Sequence, residues 1–555
     1  MESQGIMSKH IDSWIVAGYL VLIFVAGYLV SRRQKNKSAD EFIGGGRTTS
    51  WWQTGLTLIS MAVDPGCMSV AGLGFVWGFY VLQWSAVHIW FTAWFAAMFL
   101  VPIYWRSRIL TTPEYLEKRF NVHCRAFFSV VMTVILVVTL TMSLYLGAML
   151  LENLVRWPFW GSVAFISAVC GFYVILGGMR TVLTLDVYQA VFLLLTQAAV
   201  VIMSVKQAGG LAGLLAIKDL GDAGTPLPSL IPPSDWNLNT KTFFPLPAVV
   251  AWATVAGLSW LACNFGMAQR LLAARTERDA QKGLLLLGML VTAVCFGAYA
   301  IGVSVRHSKP DLGPDQAFMH VMLTMFPVGV RGLLVAGMMA ALLSTVDGLL
   351  TASSALFTED IYRRFLRRAA GGNELKQVTR ILEVLALLAA MSLLPTMRQS
   401  KSAMGFVQDF YGNVLGVVVA LYLAGMFSKR ATGRAAFISM ITGIALAFFL
   451  NPPRNSAFLQ AILPEFILNH PFRMNFAYVG FVTFVYGIVA TLALSRLEQP
   501  IPLDKLTNLT IHTLPDVRGP WVGLKAWPNL WKWALLLAGG WFGFCVAWEL
   551  IVRTR

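Results

Sequence analysis

Charged side chains are scarce in this sequence. Only 13% of its 555 residues are Asp, Glu, Lys or Arg, whereas 57% are hydrophobic. Soluble globular domains usually contain about 25% charged residues, which cover a surface that faces water. The composition therefore excludes an ordinary water-soluble protein and is typical of a polytopic membrane protein.

Residues for catalysis and metal binding are also few. The six cysteines have no paired spacing, so neither a disulfide framework nor a metal motif is predicted. The seven histidines are scattered, and neither His-Glu-x-x-His nor Gly-x-Ser-x-Gly occurs. We therefore predict that the protein is not an enzyme. The net charge of +16 is dispersed over short loops, which argues against a nucleic-acid partner.

Long apolar runs, in contrast, are abundant. Fourteen of them are long enough to cross a lipid bilayer as helices, at residues 13–31, 53–78, 83–105, 126–150, 158–177, 182–204, 246–268, 283–304, 332–356, 379–397, 403–427, 433–450, 474–495 and 531–552. The sequence thus predicts an all-α polytopic membrane protein with about fourteen transmembrane helices.

The positions of Lys and Arg predict the orientation, because cytoplasmic loops carry an excess of both. With the N-terminus outside, 29 of the 43 Lys and Arg fall in the inside segments 32–48, 106–125, 178–181, 270–282, 362–380, 428–434 and 496–532. We therefore expect a multi-pass protein of the cell membrane with both termini extracytoplasmic.

The span at 332–356 carries polar oxygens where lipid would disfavour them. At about 100° per residue, Ala341, Ser344 and Thr345 share one face of this helix. Hydroxyl and carbonyl oxygens are the ligands that hard cations prefer. Alternatively, the hydroxyls bond back to the preceding turn or join helices. Asp347, one turn farther on, favours an ion or proton site, since a charge in mid-membrane usually faces a partner or a cavity.

Two of the predicted spans are interrupted. The second contains Ala62-Val63-Asp64-Pro65-Gly66, where proline and glycine disfavour continuous helix, although a simple proline kink is the alternative. The seventh is interrupted more weakly, by Gly257 and Gly266. These spans begin two blocks of five helices each, and interrupted helices at corresponding positions of two halves indicate an inverted-repeat secondary transporter.

Several segments resemble the sodium/solute symporter family, which includes sodium/glucose, sodium/proline and sodium/sialic acid cotransporters. They are DEFIGGGRTTSWWQTG (40–55), LTTPEYLEKRF (110–120), GGMRTVLTLDVYQ (177–189), QRLLAARTERDAQKG (269–283), LLSTVDGLLTASSALFTEDIYRR (342–364) and MFSKRATGRAA (426–436). The resemblance implies a leucine-transporter-type fold with a 5+5 inverted repeat. The chain would divide into an N-terminal helix and loop (1–48), a first repeat (49–243), a second repeat (244–430) and accessory helices (431–555).

The resemblance also implies cation sites. A sodium ion would bind between the broken second span and the ninth span. Its ligands would be the carbonyl groups of Ile59, Ala62 and Ala341 and the hydroxyl groups of Ser344 and Thr345. Some family members have a second sodium position, which corresponds here to Asp186, Ser344 and Asp347. Because an Asp and a Gly stand here in place of two serines, we treat this second cation site as a hypothesis.

The same resemblance implies contacts to the substrate. Gln83 and Gln408 match positions that contact sugars, Trp260 matches an aromatic gate, and Asn264 lies one turn inward. Gln83 has an alternative interpretation as an interhelical hydrogen bond. A sugar-contacting Lys of the family has no counterpart in 283–304, which puts a hexose substrate in doubt.

From these features we predict a sodium-coupled importer in the lipid bilayer, which moves a small polar solute such as a sugar, sugar acid or amino acid by alternating access. Na⁺ and the solute are the expected partners. The alternatives are a proton-coupled symporter of the same fold and a transporter-like nutrient sensor.

Overall fold

The protein is helical throughout the part that the computed structural model describes, which comprises residues 2–32, 39–63, 66–83, 89, 92–154, 156–231, 251–252, 255–399, 403–452, 474–514 and 530–554. Within these residues the only β-type pairings are two isolated bridges. Asp64 and Pro65, at the predicted interruption of the second span, lie outside the described residues, as does the beginning of the predicted span 246–268.

The α-helices mostly fall on the predicted apolar runs, apart from four short ones that lie between these runs. They are α1 (Glu2–Arg32), α2 (Ala39–Gly44), α3 (Trp51–Ala62), α4 (Gly66–Trp77), α5 (Thr92–Phe95), α6 (Val101–Arg106), α7 (Thr112–Arg119), α8 (Val122–Leu154), α9 (Phe159–Gln207), α10 (Gly210–Leu215), α11 (Phe265–Leu272), α12 (Glu277–Ser308), α13 (Ala317–Thr324), α14 (Val330–Leu356), α15 (Gly372–Gln399), α16 (Ala403–Phe427), α17 (Gly433–Leu450), α18 (Phe476–Leu494) and α19 (Leu530–Thr554). Wider π-helical turns at Ala96–Leu100, Ser259–Cys263 and Phe357–Leu366 adjoin α6, α11 and α14.

Each of the fourteen predicted runs falls at least partly on helical backbone. Among the described residues, nine helices are both long and apolar enough to cross a membrane. The other runs are interrupted or only partly described, so a count of fourteen spans stays a prediction.

Two predicted spans, 158–177 and 182–204, meet at a single residue within α9. Gly178 has φ 63° and ψ −169°, a conformation that is not helical. A Cβ atom at this position would lie 2.5 Å from the Phe42 ring and 2.7 Å from the Phe42 carbonyl oxygen. Glycine is therefore required both by the backbone angle and by the close approach of residue 42. The break at Gly178 divides this helical stretch into two consecutive spans.

The helix with polar oxygens, α14, lies at the centre of the bundle. In its span 94% of the most apolar stretch is buried, against 22% for the N-terminal span in α1. α14 packs against α1, α8, α9 and α15. Its polar side chains therefore face protein rather than lipid.

The predicted inside segments gather at one end of the bundle. Arg106 pairs with Glu277 at 2.8 Å, and Arg364 pairs with Glu117. These contacts connect 106–125 to both 270–282 and 362–380.

Two further contacts bring the C-terminal inside segments to the same end. The Arg119 guanidinium donates to the carbonyl oxygens of Gly425, Ser428 and Ala431 at 2.6–2.9 Å. The Tyr115 hydroxyl donates to the Leu509 carbonyl at 3.0 Å.

Predicted outside segments contact one another separately. Asp12 accepts hydrogen bonds from the backbone of Gly329 and Gly332 at 2.7 and 2.9 Å, and Arg306 pairs with Asp222 at 3.1 Å. The predicted inside segments and the predicted outside segments thus form two separate groups of contacting loops.

Candidate cation and solute site

The first helix break lies between α3 and α4. α3 ends at Ala62, and Val63 leaves the helical region with φ −102° and ψ 66° while its N–H bonds to the Ile59 carbonyl at 2.8 Å. The last carbonyl groups of a helix have no N–H partner one turn ahead. The predicted interruption is therefore present, and the carbonyl groups of the last turn of α3 lie directly before it.

The second break is centred on Asn264, rather than on Gly257 or Gly266 as the sequence indicated. A π-helical turn at Ser259–Cys263 leads to Asn264, which is extended (φ −67°, ψ 110°) and caps α11. Its side-chain oxygen accepts hydrogen bonds from the backbone of Gly266 and Met267 at 2.9 and 3.4 Å. An Asn cap of this kind satisfies the free N–H groups of a helix that starts inside the bundle.

Gly266 has a different role, since it lets the two breaks approach each other. A Cβ atom on Gly266 would lie 2.3 Å from the terminal carbon of Met61 in α3. The start of α11 consequently packs directly on the end of α3.

A cavity of about 180 Å³ lies between the two breaks. Its wall combines the end of α3, the second break, α14 and α16, and includes Ala62, Trp260, Asn264, Thr345, Gln408 and Tyr411. Five of the predicted site residues, namely Ala62, Trp260, Asn264, Thr345 and Gln408, therefore share one cavity.

Gln83 is not among the residues that line this cavity. Its amide nitrogen donates to the Leu230 carbonyl at 3.2 Å and contacts the Cys545 thiol at 3.2 Å. Its amide oxygen accepts from the Trp541 indole N–H at 3.2 Å. The structure thus supports the interhelical interpretation of Gln83, which connects the third predicted span to α19.

Ser344 and Thr345 lie where α14 crosses α3. The Ser344 hydroxyl donates to Asp186 Oδ1 and contacts the Ser60 hydroxyl. Thr345 donates to the Ala341 carbonyl at 3.1 Å, as in the alternative that the sequence left open, and it also faces the cavity. The hydroxyl oxygens of Ser344 and Thr345 thus lie beside the end of α3, and the Ala341 carbonyl oxygen lies within hydrogen-bond distance of the Thr345 hydroxyl. A set of oxygen ligands suits a hard cation.

Ser60 is a polar residue of this crossing that sequence reasoning missed. It is fully buried, and its hydroxyl contacts Ser344 and donates to Asp186 Oδ1 at 3.3 Å. Ser60 could have been identified from the sequence, because it lies between Ile59 and Ala62, whose carbonyl groups are predicted ligands.

The predicted second cation site contains a cation of the protein itself. Arg270 Nε and Nη2 donate to Asp186 Oδ2 at 3.2 and 2.9 Å, and both side chains are 0% exposed. The third predicted member, Asp347, is fully buried on α14. The structure therefore brings Asp186 and Ser344 together, with Arg270 as the additional partner.

Arg270 also corrects the sequence-based loop assignment. The sequence placed it in the inside segment 270–282, yet it lies in α11 and is fully buried. A single basic residue between the apolar residues of FGMAQRLL was the signal that it belongs to the bundle.

Comparison with known proteins identifies the family of this chain. The sequence profile of the sodium:solute symporter family matches residues 42–443. The sodium/glucose cotransporter of Vibrio parahaemolyticus is 28% identical over 82% of this chain and 88% of its own length. The sodium/mannose cotransporter of Bos taurus is 27% identical over 90% of this chain and 89% of its own length.

Solved structures share the fold. A Na⁺-coupled sialic acid symporter in a substrate-bound outward-open state superposes with a TM-score of 0.74 at 20% identity, covering 88% of this chain and 98% of that chain. Mhp1, a nucleobase-cation-symport-1 family transporter, gives a TM-score of 0.56 at 13% identity, over 83% of this chain and 94% of that chain. These matches confirm the leucine-transporter-type fold. Because the family profile covers most of the chain, this multi-pass membrane protein belongs to the sodium:solute symporter family.

Proposed function

We propose that this symporter imports a small neutral organic solute of the sugar or polyol class, together with Na⁺, by alternating access. The observation that supports this proposal is the cavity between the two helix breaks, since Ala62 at the end of α3 and Thr345 on α14 share its wall with Trp260 and Gln408. A solute in this cavity would lie beside the oxygen atoms that suit a cation.

The chemistry of the cavity wall favours a neutral solute over a sugar acid or an amino acid. Among the described residues that line it, none is Asp, Glu, Lys or Arg. Ser259, Asn264 and Gln408 offer hydrogen bonds, and Trp260 offers an aromatic face. The oxygen of Asn264 already caps α11, so its amide nitrogen is the group that remains for a solute. Relatives named as glucose, mannose and myo-inositol cotransporters are consistent with this class.

Sodium would act by holding the broken helix against α14. The proposed ligands are the carbonyl oxygens of Ile59, Ala62 and Ala341 and the hydroxyls of Ser344 and Thr345. The contact between Ser60 and Ser344 already joins these two helices at this point. Coupling requires that Na⁺ bind the solute-competent state more tightly than the other state. The membrane potential adds about 2.3 kcal/mol per charge per 100 mV to the driving force.

Transport assays in proteoliposomes test the proposal. Labelled glucose, mannose, myo-inositol, a sugar acid and an amino acid are each offered with an inward Na⁺ gradient, an inward proton gradient or neither. We expect saturable uptake of a neutral solute that requires the Na⁺ gradient. Uptake driven by protons alone would instead support a proton-coupled symporter, and saturable binding without uptake would support a sensor.

Two threonines of α14 provide a matched pair of variants for these assays. Both hydroxyls bond back to the preceding turn, but only Thr345 lines the cavity, while Thr351 bonds to the carbonyls of Asp347 and Gly348. We expect Thr345→Ala to raise the Na⁺ concentration for half-maximal uptake by at least tenfold and Thr351→Ala to change it little. Equal effects of the two changes would contradict the proposed site.

We further propose that the two repeats comprise residues 49–243 and 244–430 and that both termini are extracytoplasmic. The grouping of the predicted inside loops at one end of the bundle supports this orientation. In intact cells, a membrane-impermeant maleimide should label Asp311→Cys at once and Lys429→Cys only after permeabilisation, and both positions are exposed. The reverse pattern, measured against the unmodified protein, would contradict it.

A further inference from the structure

The face that α12 presents to the cavity is apolar. This helix, which is described over its whole length, contributes Val291, Val294, Cys295 and Ala298, and their spacing places them on one helical face. Of their side chains only the Cys295 thiol can hydrogen-bond, and a thiol is a weak donor. Thr292 does not line the cavity, and its hydroxyl bonds back to the preceding turn at 2.9 Å. A solute hydroxyl that met this face would therefore find no strong hydrogen-bond partner on α12.

The broken second span extends this apolar side of the cavity. Met61 and Ala62 at the end of α3, the following Val63, and Val70 on α4 all line the cavity. α12 packs on both α3 and α4, so these residues adjoin its apolar face. The carbonyl groups at the end of α3 are the proposed ligands of Na⁺, which leaves apolar side chains for the solute here.

The hydrogen-bonding groups of the cavity lie on other elements. The hydroxyls of Thr139 on α8 and Tyr411 on α16 are 2.7 Å apart, and both side chains line the cavity. Gln408 lies one turn before Tyr411 on α16, and the second helix break adds Ser259 and Asn264. The cavity thus has one side that forms hydrogen bonds and one side that is apolar.

This asymmetry disfavours a solute with hydroxyl groups on every edge. A hydroxyl that is buried without a hydrogen-bond partner is unfavourable, whereas a methyl group in the same place gains free energy by leaving water. Hexoses and inositols carry hydroxyl groups around the whole ring. A 6-deoxyhexose has a methyl group in place of the hydroxymethyl group and keeps its ring hydroxyls for the polar side.

We propose that the preferred solute is a 6-deoxyhexose, with its methyl group against the apolar face of α12 and its hydroxyls toward α8, α16 and the second helix break. This inference rests on the proposed function, which it narrows from neutral sugars and polyols in general to sugars with an apolar edge.

Three pairs of labelled sugars that differ only at C6 test the preference. They are D-glucose and 6-deoxy-D-glucose, L-mannose and L-rhamnose, and L-galactose and L-fucose. The ratio kcat/KM for Na⁺-driven uptake into proteoliposomes is measured for each sugar and for myo-inositol. We expect the best substrate to be a deoxy sugar, with a value about tenfold or more above that of its hydroxylated counterpart.

The same assays separate the two proposals. If myo-inositol or a hydroxylated sugar is the best substrate, or if the members of each pair are equal, this inference is overturned and sodium-coupled sugar uptake remains. If no neutral sugar or polyol shows Na⁺-driven uptake, the proposed function fails and this inference fails with it.

A hydroxyl added to the apolar face should weaken the preference. Val294→Thr keeps the branched shape of the side chain and adds an oxygen to the wall, so we expect the advantage of the deoxy sugar to fall at least threefold. Val303→Thr is the matched control, because Val303 is fully buried on the same helix and does not line the cavity. An unchanged advantage in folded Val294→Thr, or an equal change in both variants, would contradict the contact with α12. If Val294→Thr does not fold, the sugar pairs in the unmodified protein decide the question.

Discussion

Two clusters of arginine and carboxylate in this protein use the same chemistry in different surroundings. The central pair consists of Asp186 and Arg270, in the middle of the bundle. The helix-end cluster consists of Glu117, Arg125, Asp360 and Arg364, where α7 and α8 meet the π-helical turn Phe357–Leu366. Both side chains of the central pair are 0% exposed, whereas Arg364 in the helix-end cluster is 37% exposed.

The difference lies in how many charged partners each group has. In the central pair one guanidinium neutralises one carboxylate, and the other donors to Asp186 are the hydroxyls of Ser344 and Ser60. In the helix-end cluster Arg125 pairs with both Glu117 and Asp360, and Glu117 pairs with both Arg125 and Arg364. A buried charge with one charged partner depends on that partner more than a charge in a network near water does. The central pair is therefore the more vulnerable to substitution.

The largest expected effect is that of R270Q measured in choline buffer. It should lower the free energy of unfolding by about 3–5 kcal/mol, because it leaves the Asp186 carboxylate buried and uncompensated. The melting temperature of the purified protein in detergent measures this loss. D186N/R270Q should recover most of it. A single variant that is as stable as the double one would show that the two charges are not coupled.

A smaller loss is expected when Arg125 is replaced by Gln. Asp360 keeps the Thr111 and Ser129 hydroxyls at 2.7 and 2.8 Å, and Glu117 keeps Arg364. We expect a loss of about 1–3 kcal/mol, in the range for a buried hydrogen bond to a charged group. The same melting experiment measures it. A loss larger than that of R270Q would reverse the ranking of the two clusters.

Glu383 on α15 extends the comparison to a carboxyl group with no hydrogen-bond partner. It is 1% exposed, and neither of its oxygens is hydrogen-bonded to another described residue. A buried polar group without a partner is unfavourable, so Glu383→Leu should raise stability by about 1 kcal/mol. Glu383→Gln, which keeps the polarity and size, is the control and should stay close to the unmodified protein. A clear destabilisation by Leu would reveal a partner or a function for this carboxyl group.

The pH dependence of stability should distinguish Glu117 from the rest of its cluster. Burial alone would raise its pKa, but the hydrogen bonds and charges of Arg125 and Arg364 outweigh burial and hold the pKa below its ordinary value. A lowered pKa in the folded state contributes stability above the unfolded-state pKa of about 4.3, and this contribution disappears as the pH falls through the folded-state pKa. Melting curves of Glu117→Gln and the unmodified protein should therefore approach each other as the pH falls from the unfolded-state pKa through the lower folded-state pKa of Glu117. A difference that is constant between pH 7 and pH 3 would contradict this origin.

The smallest effect is expected at the edge of the helix-end cluster. Lys118 pairs with Glu114 at 2.9 Å on the surface of α7 and is 37% exposed. Exposed pairs of this spacing contribute about 0.5 kcal/mol or less, and salt screens them. Lys118→Ala should change the melting temperature by little more than the error of the measurement at physiological salt. A loss comparable to that of Arg125→Gln would mean that Lys118 belongs to the network.

Sequence reasoning identified the polar face of α14 and the break after α3 well, and the second helix break less well. Ser344 and Thr345 were identifiable because hydroxyls in a continuous apolar helix are conspicuous, and their shared face follows from the helical period. The interrupted second span was readable from Pro65 and Gly66, the residues that disfavour helix. The break at Asn264 was placed less well, because it depends on a side-chain cap and not on a glycine.

The assignments of Gln83 and Arg270 differed from the structure for a common reason. Each side chain is satisfied by a partner that is distant in the chain, since Gln83 meets Trp541 and Arg270 meets Asp186. Residue type predicts that such groups need partners, but it does not identify the partner. Likewise, the space that Gly348 leaves for a guanidinium exists only once α11 packs against α14.

Hydropathy and residue chemistry were thus sufficient for a helical membrane bundle with two broken spans and an oxygen-bearing helix, because lipid restricts which backbones and side chains can cross it. The pairing of Asp186 with Arg270 was set by helix packing. Charges so deeply buried are governed by whichever group lies within hydrogen-bond distance, and Asp186 and Arg270 are 84 positions apart in the chain.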